Sequence, residues 1–76
     1  MPIVSAFFGI TIRLFHSDHN PPHFHAYYGE YEAIVEISSG KILAGKLPPK
    51  CKSLVEEWRN MHQAELEKAW GYVSSM

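Results

Sequence analysis

A single cysteine, Cys51, in 76 residues excludes an internal disulfide and fits a reducing compartment. It also removes the paired-cysteine patterns that make a zinc assignment strong, and no helical His-Glu-x-x-His replaces them. No apolar run approaches the roughly 20 residues that a membrane-spanning helix requires. Met1-Pro2-Ile3-Val4-Ser5 has neither the basic start nor the apolar stretch of a signal peptide. The expectation is a cytoplasmic protein without membrane attachment. An excess of one charge is missing as well, with seven Lys and Arg against eight Asp and Glu. Bulk electrostatic coating of nucleic acid calls for a far more basic chain; an RNA substrate held by a few placed cations stays compatible. Repeats, low-complexity stretches and linkers are absent, so residues 1–76 are expected to form one domain. That length is close to the lower size at which one core suffices. An apolar content of 46% and two tryptophans supply that core.

The first 47 residues read as strands and the remainder as helix. A short strand is expected around Ile3–Phe7. After Gly9, Ile10, Ile12 and Leu14 alternate with Thr11, Arg13 and Phe15, the period of a half-buried strand. Pro21-Pro22 interrupts any ladder, making residues 17–22 a loop. Strands at 23–28 and 31–37 flank Gly29-Glu30, the signature of a type II′ hairpin. Tyr28 then pairs with Tyr31. Phe24, Ala26, Tyr28, Tyr31, Ala33, Val35 and Ile37 share the core face. His23, His25 and Tyr27 fall on the other face, across from Glu36, Ile34 and Glu32. A second turn at Ser39-Gly40 pairs Ser38 with Lys41 and sets Ile42 and Ala44 of a strand at 41–47 beside Ile37 and Val35.

Pro48-Pro49 prepares a helix start. Beyond it Cys51, Leu54, Val55, Trp58, Met61, His62, Leu66, Trp70 and Val73 form an apolar stripe. Lys52, Glu56, Glu57, Arg59, Glu65, Glu67 and Lys68 are assigned to the exposed side, and a break near Asn60–Gln63 would give two helices. The expected fold is α+β: an antiparallel meander of about five strands, with a C-terminal helix or helix pair packed on one face.

Four of the five histidines, His16, His19, His23 and His25, fall within residues 16–25. Imidazole titrates near neutral pH and is the commonest metal ligand. On the outer face the hairpin register groups His23, His25, Tyr27, Glu32 and Glu36, and Arg13 joins them if its strand neighbours residues 23–28. A carboxylate beside an imidazole holds its tautomer, and an arginine stabilises a phosphate oxyanion. This set is equipped for metal-independent phosphodiester cleavage, with one imidazole or a Glu as base and another as acid. The plain alternative is a solvated sheet face, which ordinarily carries polar residues.

Metal binding is the rival use: His23-x-His25 with Asp18, His16 or His19 would give zinc three ligands plus water. Asp18, His19 and Asn20 beside the proline pair also read as turn formers that aim the strand bearing His23, or as substrate-binding loop residues. His62, Cys51, Trp58 and Trp70 read as core. Phe15, Ile34 and Leu43 add apolar surface to the outer face, and a meander leaves edge strands, so a binding module or homodimer explains the same face without catalysis.

Phe7-Phe8-Gly9-Ile10, Asp18-His19-Asn20-Pro21-Pro22-His23-Phe24-His25, Tyr28-Gly29-Glu30-Tyr31 and Glu57-Trp58 together resemble a small bacterial family, domain of unknown function 4160. The likeness spans nearly the whole chain. Genes of that family often neighbour one for a protein of domain of unknown function 2442, in pairs that look like toxin–antitoxin modules. The resemblance therefore implies a candidate toxin with an antitoxin-like partner. His19, Asn20, His23 and His25 match the family motif, and no chemical role comes with the match.

Overall fold

The computed structural model describes residues 3–15 and 21–74. Five strands, β1 (Ile3–Phe7), β2 (Ile10–Arg13), β3 (His23–Tyr28), β4 (Tyr31–Glu36) and β5 (Ile42–Gly45), are followed by one helix, α1 (Pro49–Ser74). The strands form one antiparallel sheet in the order β1-β2-β3-β4-β5. The α+β meander with its C-terminal helix is therefore the observed architecture. No helix among the described residues is long and apolar enough to cross a membrane.

Turn chemistry sets the registers. Phe8 and Gly9 link β1 to β2 with φ of 49° and 78°. Positive φ at both central residues is the type I′ pattern, unusual for an aromatic side chain and costing about 1 kcal/mol or more. Gly29 has φ 56°, whereas Glu30 is not among the residues of positive φ. That combination is the type II′ turn expected from Gly29-Glu30, and Tyr28 does pair with Tyr31.

The inner face buries Ile10, Ile12, Leu14, Phe24, Ala26, Ala33, Val35 and Ile37 against Leu47, Cys51, Val55, Leu66 and Trp70. Tyr28 and Tyr31 share that face in register but sit exposed at the hairpin tip.

The β4–β5 connection departs from the sequence expectation. Val35 pairs with Ile42 and Ile34 with Ala44, with a bulge between them. Ile37 makes no ladder with β5; its N–H donates to the Pro22 carbonyl at 3.0 Å. The loop is also longer than two residues, since Glu36 N–H reaches Lys41 O at 2.9 Å and Gly40 N–H reaches Glu36 O at 2.8 Å. The cause lies in the helix. Arg59, assigned to solvent from the pattern, is only 5% exposed. Its Nη1 donates to Ile37 O at 2.9 Å and Ser38 O at 3.4 Å. Nε and Nη2 grip both Glu56 oxygens at 3.0 and 2.6 Å. Gly40 permits this approach: a Cβ there would overlap the Glu56 carboxylate and lie 2.7 Å from Arg59 Nε, at a φ of 78° that already favours glycine.

Pro49 occupies the first helical position, and Lys52 N–H donates to Pro48 O at 2.9 Å. His62 interrupts the helix with φ −123° and ψ 18°, within the stretch where a break is expected. Its Nδ1–H donates to Trp58 O at 2.9 Å, and its ring stacks on the Trp58 indole at 4.9 Å. A side chain that takes an i−4 carbonyl is a recognised source of kinks. Cys51, Val55, Arg59, Leu66 and Trp70 form the deeply buried stripe, which leaves Met61, expected inside it, 72% exposed.

The Arg59 hydrogen bonds hold the Glu56 carboxyl below its ordinary value of 4.5. The stabilisation is therefore complete above that value and is lost as pH falls through the lower folded one. Arg59→Met is expected to cost about 2 kcal/mol at neutral pH, the scale of lost charge-assisted hydrogen bonds. Glu56→Gln should cost less, and its deficit should shrink at acid pH. Urea unfolding midpoints at neutral and acid pH check both.

Candidate functional site

Three strands place the candidate side chains on the sheet face opposite α1. Arg13 pairs with His25 and Thr11 with Tyr27 across β2–β3. Across β3–β4, His23 faces Glu36, His25 faces Ile34 and Tyr27 faces Glu32. Successive side chains alternate, so the residues that bury Phe24 and Ala26 inward necessarily turn His25 and Tyr27 outward.

The structure brings four of the expected residues into one constellation: Arg13, His25, Tyr27 and Glu32. Glu32 is its centre. Its Oε2 accepts from His25 Nδ1–H at 3.2 Å, a diagonal contact between a largely shielded imidazole and a half-exposed carboxylate. Glu32 also stands across from Tyr27 in register, near enough for its charge to act on the phenol. Arg13 lies over the Tyr27 ring with Cζ 5.3 Å from its centroid. A neutral His25 that donates from Nδ1 carries its lone pair on Nε2, the tautomer of an oriented general base. Tyr27 titrates above its ordinary value of 10.0 because burial disfavours the phenolate; the Glu32 charge and hydrogen bond add to this, and Arg13 opposes it.

His23 and Glu36 take other partners. His23 Nδ1–H donates to Pro21 O at 2.7 Å, and the ring is 7% exposed between His25 at 5.4 Å and Trp70 at 5.1 Å. It forms an inner wall beside the constellation. Glu36 faces His23 in register, but its carboxylate accepts the Ser39 hydroxyl, whose oxygen in turn accepts Lys41 N–H at 3.1 Å. Glu36 thus bonds within the β4–β5 turn and is not brought into the Arg13–His25–Tyr27–Glu32 group. Phe15 meets His25 edge-on at 4.5 Å, and Tyr27 stacks over His25 at 6.3 Å. Trp70 was expected only as core. Its contact with His23 depends on where the helix heads after the His62 kink, which no local pattern encodes.

Asp18, His19 and Asn20, together with His16, lie outside the described residues. Among the described residues, no three His, Cys, Asp or Glu side chains converge as metal ligands. A zinc site on His23 and His25 would thus draw its further ligands from that loop.

The Tyr27 environment generates a test in which Arg13 and Glu32 act with opposite sign. Glu32→Gln removes a carboxylate charge, so Tyr27 should ionise at lower pH, although burial keeps it above the ordinary range. Arg13→Gln should move it further up. Residue-resolved NMR titration of Tyr27 measures both directions.

No curated protein and no solved structure gives a significant match to this chain. One family model does, described as a domain of unknown function (DUF4160), and it covers residues 9–71. That span runs from the β1–β2 turn to one residue past Trp70 in α1 and includes every strand that carries the constellation. The chain belongs to the DUF4160 family.

Proposed function

We propose that this protein is the toxin-like component of a toxin–antitoxin pair and cleaves cytoplasmic RNA without a metal at the Arg13–His25–Tyr27–Glu32 face. The observation that carries the reading is the His25 Nδ1–Glu32 Oε2 contact at 3.2 Å, with Tyr27 across from Glu32 and Arg13 over the Tyr27 ring. In this reading His25 Nε2 accepts the proton of a ribose 2′-hydroxyl as the 2′ oxygen bonds to phosphorus. Arg13 stabilises the non-bridging oxygens, where charge builds in the transition state. The bond from phosphorus to the 5′ oxygen breaks, leaving a cyclic phosphate, and Tyr27 gives its proton to the departing oxygen. An alkoxide is more basic than a phenolate, so this transfer is downhill even with the Tyr27 pKa raised. Solvent exchange returns the proton from His25 to Tyr27. The aromatic row of Tyr27, His25 and Phe15 offers stacking surfaces that suit unpaired bases.

A second reading, a protein-binding module, is favoured by the half-buried Ile34 and by Leu43, 39% exposed. The two separate on substitution. His25→Ala and Glu32→Gln should each lower cleavage of single-stranded RNA by about a hundredfold or more, the scale of a lost acid–base group. Both should also relieve growth arrest on expression while the protein stays folded. Growth arrest undiminished in both variants would sink the catalytic reading and leave the binding one. Loss of cleavage in excess chelator would point instead to zinc on His23, His25 and the 16–20 loop.

A further inference from the structure

On the helix side of the sheet, away from the His25–Glu32 face, a cavity of about 220 Å³ lies between β5, the β4–β5 turn and the start of α1. Val35, Leu47 and Val55 are its buried apolar walls, with Ile42 half-buried beside them. Lys41 and Lys52 stand exposed at its rim. Glu56 also borders it, but both of its oxygens are held by Arg59 at 3.0 and 2.6 Å, which offsets its charge. The first turn of α1 holds Lys50 and Lys52 and no acidic residue. Helix dipoles favour the reverse, so this rim is a positively charged one that an anion would relieve.

Size and chemistry together select the occupant. Small-molecule sites commonly span roughly 300–1,000 Å³, and this smaller cavity with an aliphatic lining suits one inserted side chain. β5 is an edge strand beside the opening, so an extended segment has room to run along it. We propose that this cleft docks an acidic peptide segment of a partner protein. One leucine- or isoleucine-sized side chain enters between Val35, Ile42, Leu47 and Val55, and flanking carboxylates pair with Lys41 and Lys52. Ser39 is already committed to Glu36 and the Lys41 N–H, so the two lysines are the specificity elements. The docking stands independently of RNA cleavage, because none of its residues belongs to the outer face.

The test is a methyl and amide NMR titration of the intact protein with a capped peptide of one leucine between glutamates. Expected are saturable shifts centred on Val35, Ile42, Leu47 and Val55. Affinity should fall about tenfold, a change of roughly 1.4 kcal/mol, when the peptide leucine becomes alanine. It should fall at least as far in the Lys41→Glu/Lys52→Glu variant, whose two sites are exposed and whose unchanged thermal midpoint would show that it is folded. Added salt should weaken binding. Equal binding of a peptide with lysines in place of glutamates would overturn the proposal. So would shifts reproduced by sodium acetate alone, no saturable shift at millimolar peptide, or self-association that fills the cleft with a second copy.

Discussion

The two-residue turn at Gly29-Glu30 is the constraint on which both the core and the site depend. With Gly29 at φ 56°, Tyr28 and Tyr31 become partners, and every later pair in the hairpin follows in steps of one. A slip of one residue would turn the inward set of one strand, Phe24 and Ala26 or Ala33 and Val35, out to water, and in the first case drive His25 and Tyr27 inward. The cost of losing several buried side chains, each worth about 1.5–3 kcal/mol when large, makes that alternative uncompetitive. The same register places Glu32 opposite Tyr27 and one diagonal step from His25, so that one carboxylate neighbours both side chains. Fold specificity and site geometry are therefore one property of the hairpin.

Period-two alternation made the hairpin legible in the sequence. Once Gly29-Glu30 is read as a II′ turn, the outward grouping of His23, His25, Tyr27, Glu32 and Glu36 follows, and Arg13 joins because a meander makes β2 the neighbour of β3. Register does not say which hydrogen bond each side chain chooses. Glu36 and His23 are paired backbone to backbone, yet one bonds the Ser39 hydroxyl and the other the Pro21 carbonyl. Each of those partners lies within three residues in sequence. Such local bonds order few additional groups, so they compete well against a cross-strand contact.

Arg59 marks where pattern reasoning failed on the helix. Its charge and its neighbours Glu56, Glu57 and Asn60 read as a solvent face, whereas it continues the buried spacing of Cys51 and Val55. A guanidinium tolerates that position because its planar fork satisfies several acceptors at once: the Glu56 carboxylate, two carbonyls of the β4–β5 loop and two helical amides. The Ser38 carbonyl it takes is the one that a tight Ser39-Gly40 hairpin would have given to the Lys41 N–H. The long loop and the β5 bulge follow from that single substitution of partners. The Gly40 close approach is the residue-level trace of this arrangement, and in the sequence it reads as an ordinary turn glycine.

His62 and His23 link the helix to the site. His62 caps the Trp58 carbonyl with its own ring and bends α1 there. The segment beyond the bend delivers Leu66 to the core and Trp70 to both the core and His23. His23 then stands directly against His25, so the wall behind the candidate base is built in part from Trp70 of the helix. A site assembled only from strand side chains would leave His25 free to tilt away from Glu32, because a surface imidazole–carboxylate contact is worth little by itself. Backing by His23 and Trp70 on one side and by Phe15 on another restricts that ring without adding a charge. The helix therefore does more than cover the opposite face: through one indole it holds the orientation on which the His25–Glu32 contact relies.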